Sequence, residues 1–150
     1  MTLKGPQADV DAIDDLVSTI TGGSTTSQPF VYESFATSTT TSNTHQTKLD
    51  NTTPPLDEGT YQVSWVCSTK MAAVVTNTGV EAKIRLERSD GQFVEQDDAW
   101  DRANRHAYNG SQPFQIAAGQ TIRSLLTFAR LGASGTAEIS GARITIDKID

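Results

Sequence analysis

Residues 61–68 read Tyr61-Gln62-Val63-Ser64-Trp65-Val66-Cys67-Ser68. Tyr61, Val63, Trp65 and Cys67 fall on one side of this stretch, and Gln62, Ser64 and Ser68 fall on the other. That period of two belongs to a strand with one face buried and one in water. A helix would scatter the same apolar residues around its circumference, so the stretch commits this part of the chain to a sheet. The sequence around it agrees. Pro54, Pro55, Asp57, Glu58 and Gly59 form a turn just before it. Val80, Ala82, Ile84 and Leu86 then repeat the alternation against Glu81, Lys83, Arg85 and Glu87, whose charges place that strand's second face in water. Phe114, Ile116 and Ala118 suggest a further strand, stopped by Gly119. Residues 122–130 are strand-like with apolar residues on both faces, which suits a central strand or an interface. Ile139, Ala142, Ile144 and Ile146 close the chain, with a bulge expected at Gly141.

Toward the N-terminus the composition changes. Half of the residues from 18 to 53 are Ser or Thr. Phe30, Val31, Tyr32 and Phe35 interrupt that tract, and the branched Thr side chain fits a pleated sheet, so residues 30–37 and 41–49 are expected as strands. Ahead of them, Val10, Ile13, Leu16, Val17 and Ile20 recur at helical spacing over residues 8–20, with Asp9 and Asp11 in the first turn and Gly22-Gly23 at the end. A helix of that length is marginal alone in water and needs a surface for its apolar stripe. Residues 21–28 read as a hinge. The expected organisation is an N-terminal attachment arm over residues 1–29 and a sandwich over 30–150.

Many short strands separated by turns, with one helix at the margin, predict an all-β fold: an antiparallel, jelly-roll-like β-sandwich with a short N-terminal helix and an extended arm. No helical segments alternate with the strands, which excludes a parallel α/β sheet. The expected core comprises Tyr61, Val63, Trp65, Val80, Ile84, Leu86, Phe128, Ile144 and Ile146.

At 150 residues the chain has the length of one domain, and its net charge of −6 repels phosphate backbones, so nucleic acid is not an expected partner. Arg102 and Arg105 stand near each other, but Asp97, Asp98 and Asp101 cancel their field. No long apolar run and no signal-like start occur, so no membrane partner is expected. The single cysteine, Cys67, rules out an intrachain disulfide and lies on an apolar face, where a thiol acts as a small inert hydrophobe. Asn51-Thr52-Thr53 and Asn109-Gly110-Ser111 match a glycosylation pattern that has little meaning without a secretory signal.

The densest polar group is Asp97, Asp98, Trp100, Asp101, Arg102, Asn104, Arg105 and His106. As a loop over residues 97–106 it could hold a sugar, with Trp100 as a stacking platform, or a hard cation on its carboxylates, although it lacks the glycine and distal glutamate of a calcium loop. The plainer alternative is a solvated loop with local ion pairs and one anchored Trp. His45 and His106 sit in no short-range metal pattern, and there is no nucleophile elbow. No catalytic residue, metal site or cofactor is expected.

Residues 34–49, followed by Leu56-Asp57-Glu58-Gly59-Thr60-Tyr61-Gln62-Val63-Ser64-Trp65 and, at the other end, Ala137-Glu138-Ile139-Ser140-Gly141-Ala142-Arg143-Ile144, resemble the small jelly-roll domains of accessory virion proteins of tailed bacteriophages, namely head decorations, head fibres and tail or collar appendages. The likeness covers residues 35–149, about three quarters of the chain, and carries no catalytic residues. It implies a non-enzymatic structural protein located in the virion, a capsid decoration or head-fibre protein docked through its arm. The partners implied are itself, as a homo-oligomer with a trimer favoured, and the major capsid or other virion proteins. The alternative is a carbohydrate-binding tail or collar module using residues 97–106. No collagen-like or coiled-coil stem precedes the domain, which argues against a long fibre.

Overall fold

The computed structural model describes residues 28–73 and 76–150. Nine strands occur among them: β1 (Phe30–Ser34), β2 (Ser38–Thr40), β3 (Gln46–Thr52), β4 (Gly59–Met71), β5 (Gly79–Arg88), β6 (Phe93–Trp100), β7 (His106–Ile116), β8 (Ile122–Leu131) and β9 (Ala137–Lys148). They form two antiparallel sheets. One has the order β1-β9-β4-β7, with β2 also on β9; the other runs β3-β8-β5-β6. From β3 onward the chain crosses repeatedly between the sheets, which gives the jelly-roll-like sandwich expected from the sequence. The helix expected over 8–20, with Val10, Ile13, Leu16, Val17 and Ile20, and the arm up to residue 27 lie outside the described residues.

The core sits between the sheets and follows the alternation. Tyr61, Val63, Trp65 and Cys67 of β4, Val80, Ala82, Ile84 and Leu86 of β5, and Ile139, Ala142, Ile144 and Ile146 of β9 are all buried, as is Phe128 of β8. Strand β8 lies between β3 and β5; Ile122, Leu126 and Phe128 fill its inner side, and Leu125 on its outer side is half-buried. Strand β9 bulges where expected. Its register against β4 shifts between Val66 and Ser68, and Gly141 takes φ 60, a conformation open to glycine.

Four expectations need correction. Residues 30–37 do not form one strand: β1 pairs with residues 142–146 of β9 and β2 with residues 137–139. The bulge between these pairings breaks the edge in two, and the Gly141 amide donates to the Phe35 carbonyl at the break. Residues 41–45 are not strand either. Here Thr and Ser side chains bond the local backbone, with Thr40 Oγ1 accepting from the Ser42 amide and Ser42 Oγ from the Thr44 amide, while Asn43 Nδ2 reaches across to donate to the Arg130 and Gly132 carbonyls. Strand β7 ends at Ile116, and Ala118 lies exposed in the following turn. Finally, residues 97–106 are not a loop throughout, because Asp97, Asp98 and Trp100 belong to β6 and His106 opens β7. Asp98 and Trp100 occupy the same side of β6 as Val94, so the inward side of this edge strand mixes apolar and charged residues and shows no alternation.

Candidate functional site

Strands β6 and β7 are the outer strands of different sheets, joined by residues 101–105 across one open side of the sandwich. This crossing assembles part of the polar group singled out in the sequence. His106 Nε2 lies 2.5 Å from Asp98 Oδ2. The Trp100 ring stacks on the His106 imidazole, with centroids 4.2 Å apart and planes 9° from parallel. The indole N–H of Trp100 donates to the Asn104 carbonyl at 2.8 Å. Trp100 also packs against the buried Met71, Val80 and Ala137. Arg105 reaches to β9, where its guanidinium donates to Ser140 Oγ at 2.7 Å. The connection is tied down by the Met71 amide, which donates to the Arg102 carbonyl.

The other members of the group stand apart. Asp97 is exposed on the outer side of β6, opposite Lys83. Asp101 is exposed and pairs with Arg102 at 3.5 Å. The carboxylates therefore do not converge, and among the described residues no group of three or more His, Cys, Asp or Glu is placed to hold a metal ion. The partly buried Trp100 ring contacts an imidazole and an apolar cluster. Asp98, Trp100 and His106 work as a clasp that closes one side of the sandwich.

Behind the clasp lie Cys67 and Tyr108, cross-strand neighbours in the β4–β7 register. Burial pushes the Cys67 thiol up to about 12, with Asp98 adding to the shift and Lys48 opposing it. A thiol so protonated is a poor nucleophile. Burial likewise pushes the Tyr108 phenol up to about 12, the Trp65 indole acting against the shift. Neither Tyr108 OH nor Trp65 Nε1 has a hydrogen bond of good geometry. His45 is occupied on the outer face of the second sheet, with Nδ1 2.9 Å from Thr127 Oγ1 and Nε2 2.8 Å from Glu81.

Two features escaped the sequence reading. One is a cleft of about 600 Å³ beside the clasp, lined by Thr76, Asn77, Thr78, Gly79, Ala99, Trp100, Asp101 and Leu131. It gathers residues from three distant stretches, and only the turn-forming Asn77-Thr78-Gly79 gives a local hint of it. The other is Lys48, which sits at the register shift of β3, is buried, and donates to the Ala36 carbonyl (2.5 Å) and Ser38 Oγ (2.9 Å). Burial lowers its ammonium below the usual lysine range. Nothing in the Thr-rich sequence around it signals this.

If the clasp is structural, Asp98→Ala is expected to cost about 1 kcal/mol, since the pair is partly exposed, and to lower the melting temperature by about 2–4 °C. An unchanged melting temperature would return Asp98 and His106 to the pool of free surface groups.

No family model matches the sequence, and no curated protein matches it. Solved structures share its jelly-roll sandwich. The capsid protein VP2 of infectious bursal disease virus, in a subviral particle, superposes with a TM-score of 0.56 at 10% identity, over 82% of this chain and 33% of that one. The same virus's T=1 particles give 0.55 at 10% identity, over 82% and 32%. The globular domain of zebrafish complement 1qA gives 0.51 at 11% identity, over 83% of this chain and 98% of that domain. The chain thus spans about a third of the length of the viral capsid chains. At such identities the likeness is one of fold.

Proposed function

We propose that the chain is a non-enzymatic structural component of a virus particle, a capsid decoration or head-fibre protein of a tailed bacteriophage, docked through its N-terminal arm. One observation carries the reading: Asp98, Trp100, Asn104, Arg105 and His106, the group best suited to chemistry, are spent on holding the sandwich closed. A jelly-roll sandwich built in this way offers surface rather than a reaction centre, and sandwiches of this fold occur in viral capsid protein. The partners in this reading are further copies of the chain, with a trimer favoured, and the shell of the particle.

Purified protein added to empty capsids and sedimented with them tests the proposal directly. Deletion of residues 1–23 is expected to leave the melting temperature nearly unchanged and to abolish co-sedimentation. A truncation that melts markedly lower or aggregates would assign the arm to the fold and move the attachment surface onto the sandwich.

A second reading, a carbohydrate-binding appendage, draws on the cleft beside Asp101. Trp100 lines that cleft, with one face of its ring already stacked on His106. Binding on a glycan array, lost in Asn77→Ala or Asp101→Ala, would favour this reading over the structural one.

A further inference from the structure

Two dipeptides in the chain, Asp90-Gly91 and Asn109-Gly110, are of the kind that can rearrange its own backbone. A glycine presents its amide nitrogen with no side chain to block it, and that nitrogen can attack the Cγ of the residue before it. Asn109-Gly110 lies inside β7, in register against Val66 and Trp65 of β4, and an extended strand keeps the nitrogen away from the side chain. Asp90-Gly91 lies at the exposed tip of the β5–β6 hairpin, outside either strand. There Ser89, Asp90 and Gly91 make a three-residue turn. The Gly91 amide donates to the Arg88 carbonyl at 2.9 Å, the Arg88 amide donates to the Gln92 carbonyl at 2.8 Å, and Gly91 takes φ 95, the left-handed value such a turn asks of its last residue. The turn thus calls for the very glycine that exposes Asp90 to attack.

Arg88 restrains both reacting groups. Its guanidinium meets both carboxylate oxygens of Asp90, Nε on Oδ1 at 2.9 Å and Nη2 on Oδ2 at 2.5 Å, and the Gln92 amide adds a third bond to Oδ1 at 3.1 Å. Its carbonyl holds the Gly91 N–H. The hydrogen bond from Arg88, and after it the one from the Gln92 amide, hold the Asp90 carboxyl below the usual range, at about 2. The same guanidinium donates to the Gln115 carbonyl of β7 at 2.7 Å, which ties the two sheets at the end of the open side away from the clasp.

We propose that Asp90-Gly91 is a site of isoaspartate formation whose rate Arg88 controls. The Gly91 nitrogen bonds to Cγ of Asp90, the carboxyl OH departs with the amide proton as water, and a five-membered imide results. Water then opens the imide. Opening at the α-carbonyl leaves the chain running through the side-chain carbonyl, one atom longer, with a free α-carboxylate. No oxidant or cofactor enters. The first step needs the neutral acid, because an ionised carboxylate has no leaving group. Pairing with Arg88 withholds that form, making it more than about tenfold scarcer at about pH 5 than in an unpaired carboxyl. The product takes the carboxylate out of the Arg88 fork, loosens the guanidinium's hold on Gln115, and weakens the sandwich at the end that has no clasp.

Incubating the full chain at about pH 5, with isoaspartate at residue 90 read by isoaspartyl methyltransferase labelling and peptide mapping, tests the proposal. A peptide of residues 87–93 gives the unprotected rate. The wild-type chain is expected to lag the peptide by at least about tenfold, and Arg88→Ala to recover most of that difference. Deamidation at Asn109-Gly110 gauges global unfolding, and it stays at the wild-type level if the loss of Arg88 acts on the turn alone. Where both sites react together the alanine variant has unfolded, and Arg88→Lys, which keeps the charge but lacks the fork that meets both oxygens, decides by the same comparison. A wild-type chain as fast as the peptide overturns the protection. Variants as slow as a slow wild type overturn the role of Arg88. Asp90→Glu, which cannot form the five-membered imide, is expected to abolish the label, and a label that survives it overturns the assignment to Asp90.

Discussion

Trp65→Ala is expected to lower the unfolding free energy by about 3–5 kcal/mol, the range for removing a buried aromatic ring. The ring is 3% exposed and lies at the centre of β4, flanked in register by Gly110 of β7 and Ile144 of β9. Tyr108 meets it edge-on, with centroids 6.1 Å apart and planes at 62°. Both neighbours belong to extended strands, whose backbone cannot move in to fill the space. Chemical denaturation with a two-state fit measures the loss. A change near zero would mean that the ring faces water and that the register of β4 is off by one residue, turning its whole apolar set outward.

Gly110→Ala is expected to cost about 1–3 kcal/mol by overpacking against the same ring. A Cβ at position 110 would lie 2.4 Å from Cζ2 of Trp65 and 2.8 Å from Cε2. These are atoms of a rigid ring in a full core, and neither side can yield without displacing a strand. The cost belongs to the pair, so the two substitutions should not add: in a Trp65→Ala background, Gly110→Ala should become nearly neutral. Additive losses would show that position 110 disfavours a side chain for reasons of backbone and not for contact with Trp65. The glycine in Asn109-Gly110-Ser111 thus has a packing role that the local sequence does not reveal.

The centre of the fold was legible because water and core sort residues strictly there. Tyr61, Val63, Trp65 and Cys67 alternate on β4, which has a paired strand on either side, and β5 repeats the pattern between β6 and β8. Legibility failed at the margins. The β6 side facing the other sheet carries Val94, Gln96, Asp98 and Trp100, because an edge strand reaches solvent and can set a partly exposed carboxylate against an imidazole from another sheet. The pairing of Asp98 with His106 depends on a crossing between layers, which no short-range pattern encodes. Ser and Thr over 41–45 looked like strand material, but their hydroxyls bond the nearby backbone instead. Of the proposed ligand residues, Trp100 and His106 do come together, but stacked on each other.

Lys48 gives this protein a built-in clock. An amine that donates to a carbonyl and a hydroxyl beneath the β1–β2 break is shielded from acylating reagents, whereas Lys70, Lys83 and Lys148 are only partly covered. Burial holds its ammonium below the usual lysine range while the edge stays closed. Under a pulse of amine-reactive label followed by mass spectrometry, the partly covered lysines should modify early, while Lys48 should modify only as fast as β2 and β3 separate. That delay would time the opening of one edge of the sandwich, independently of any signal from its core.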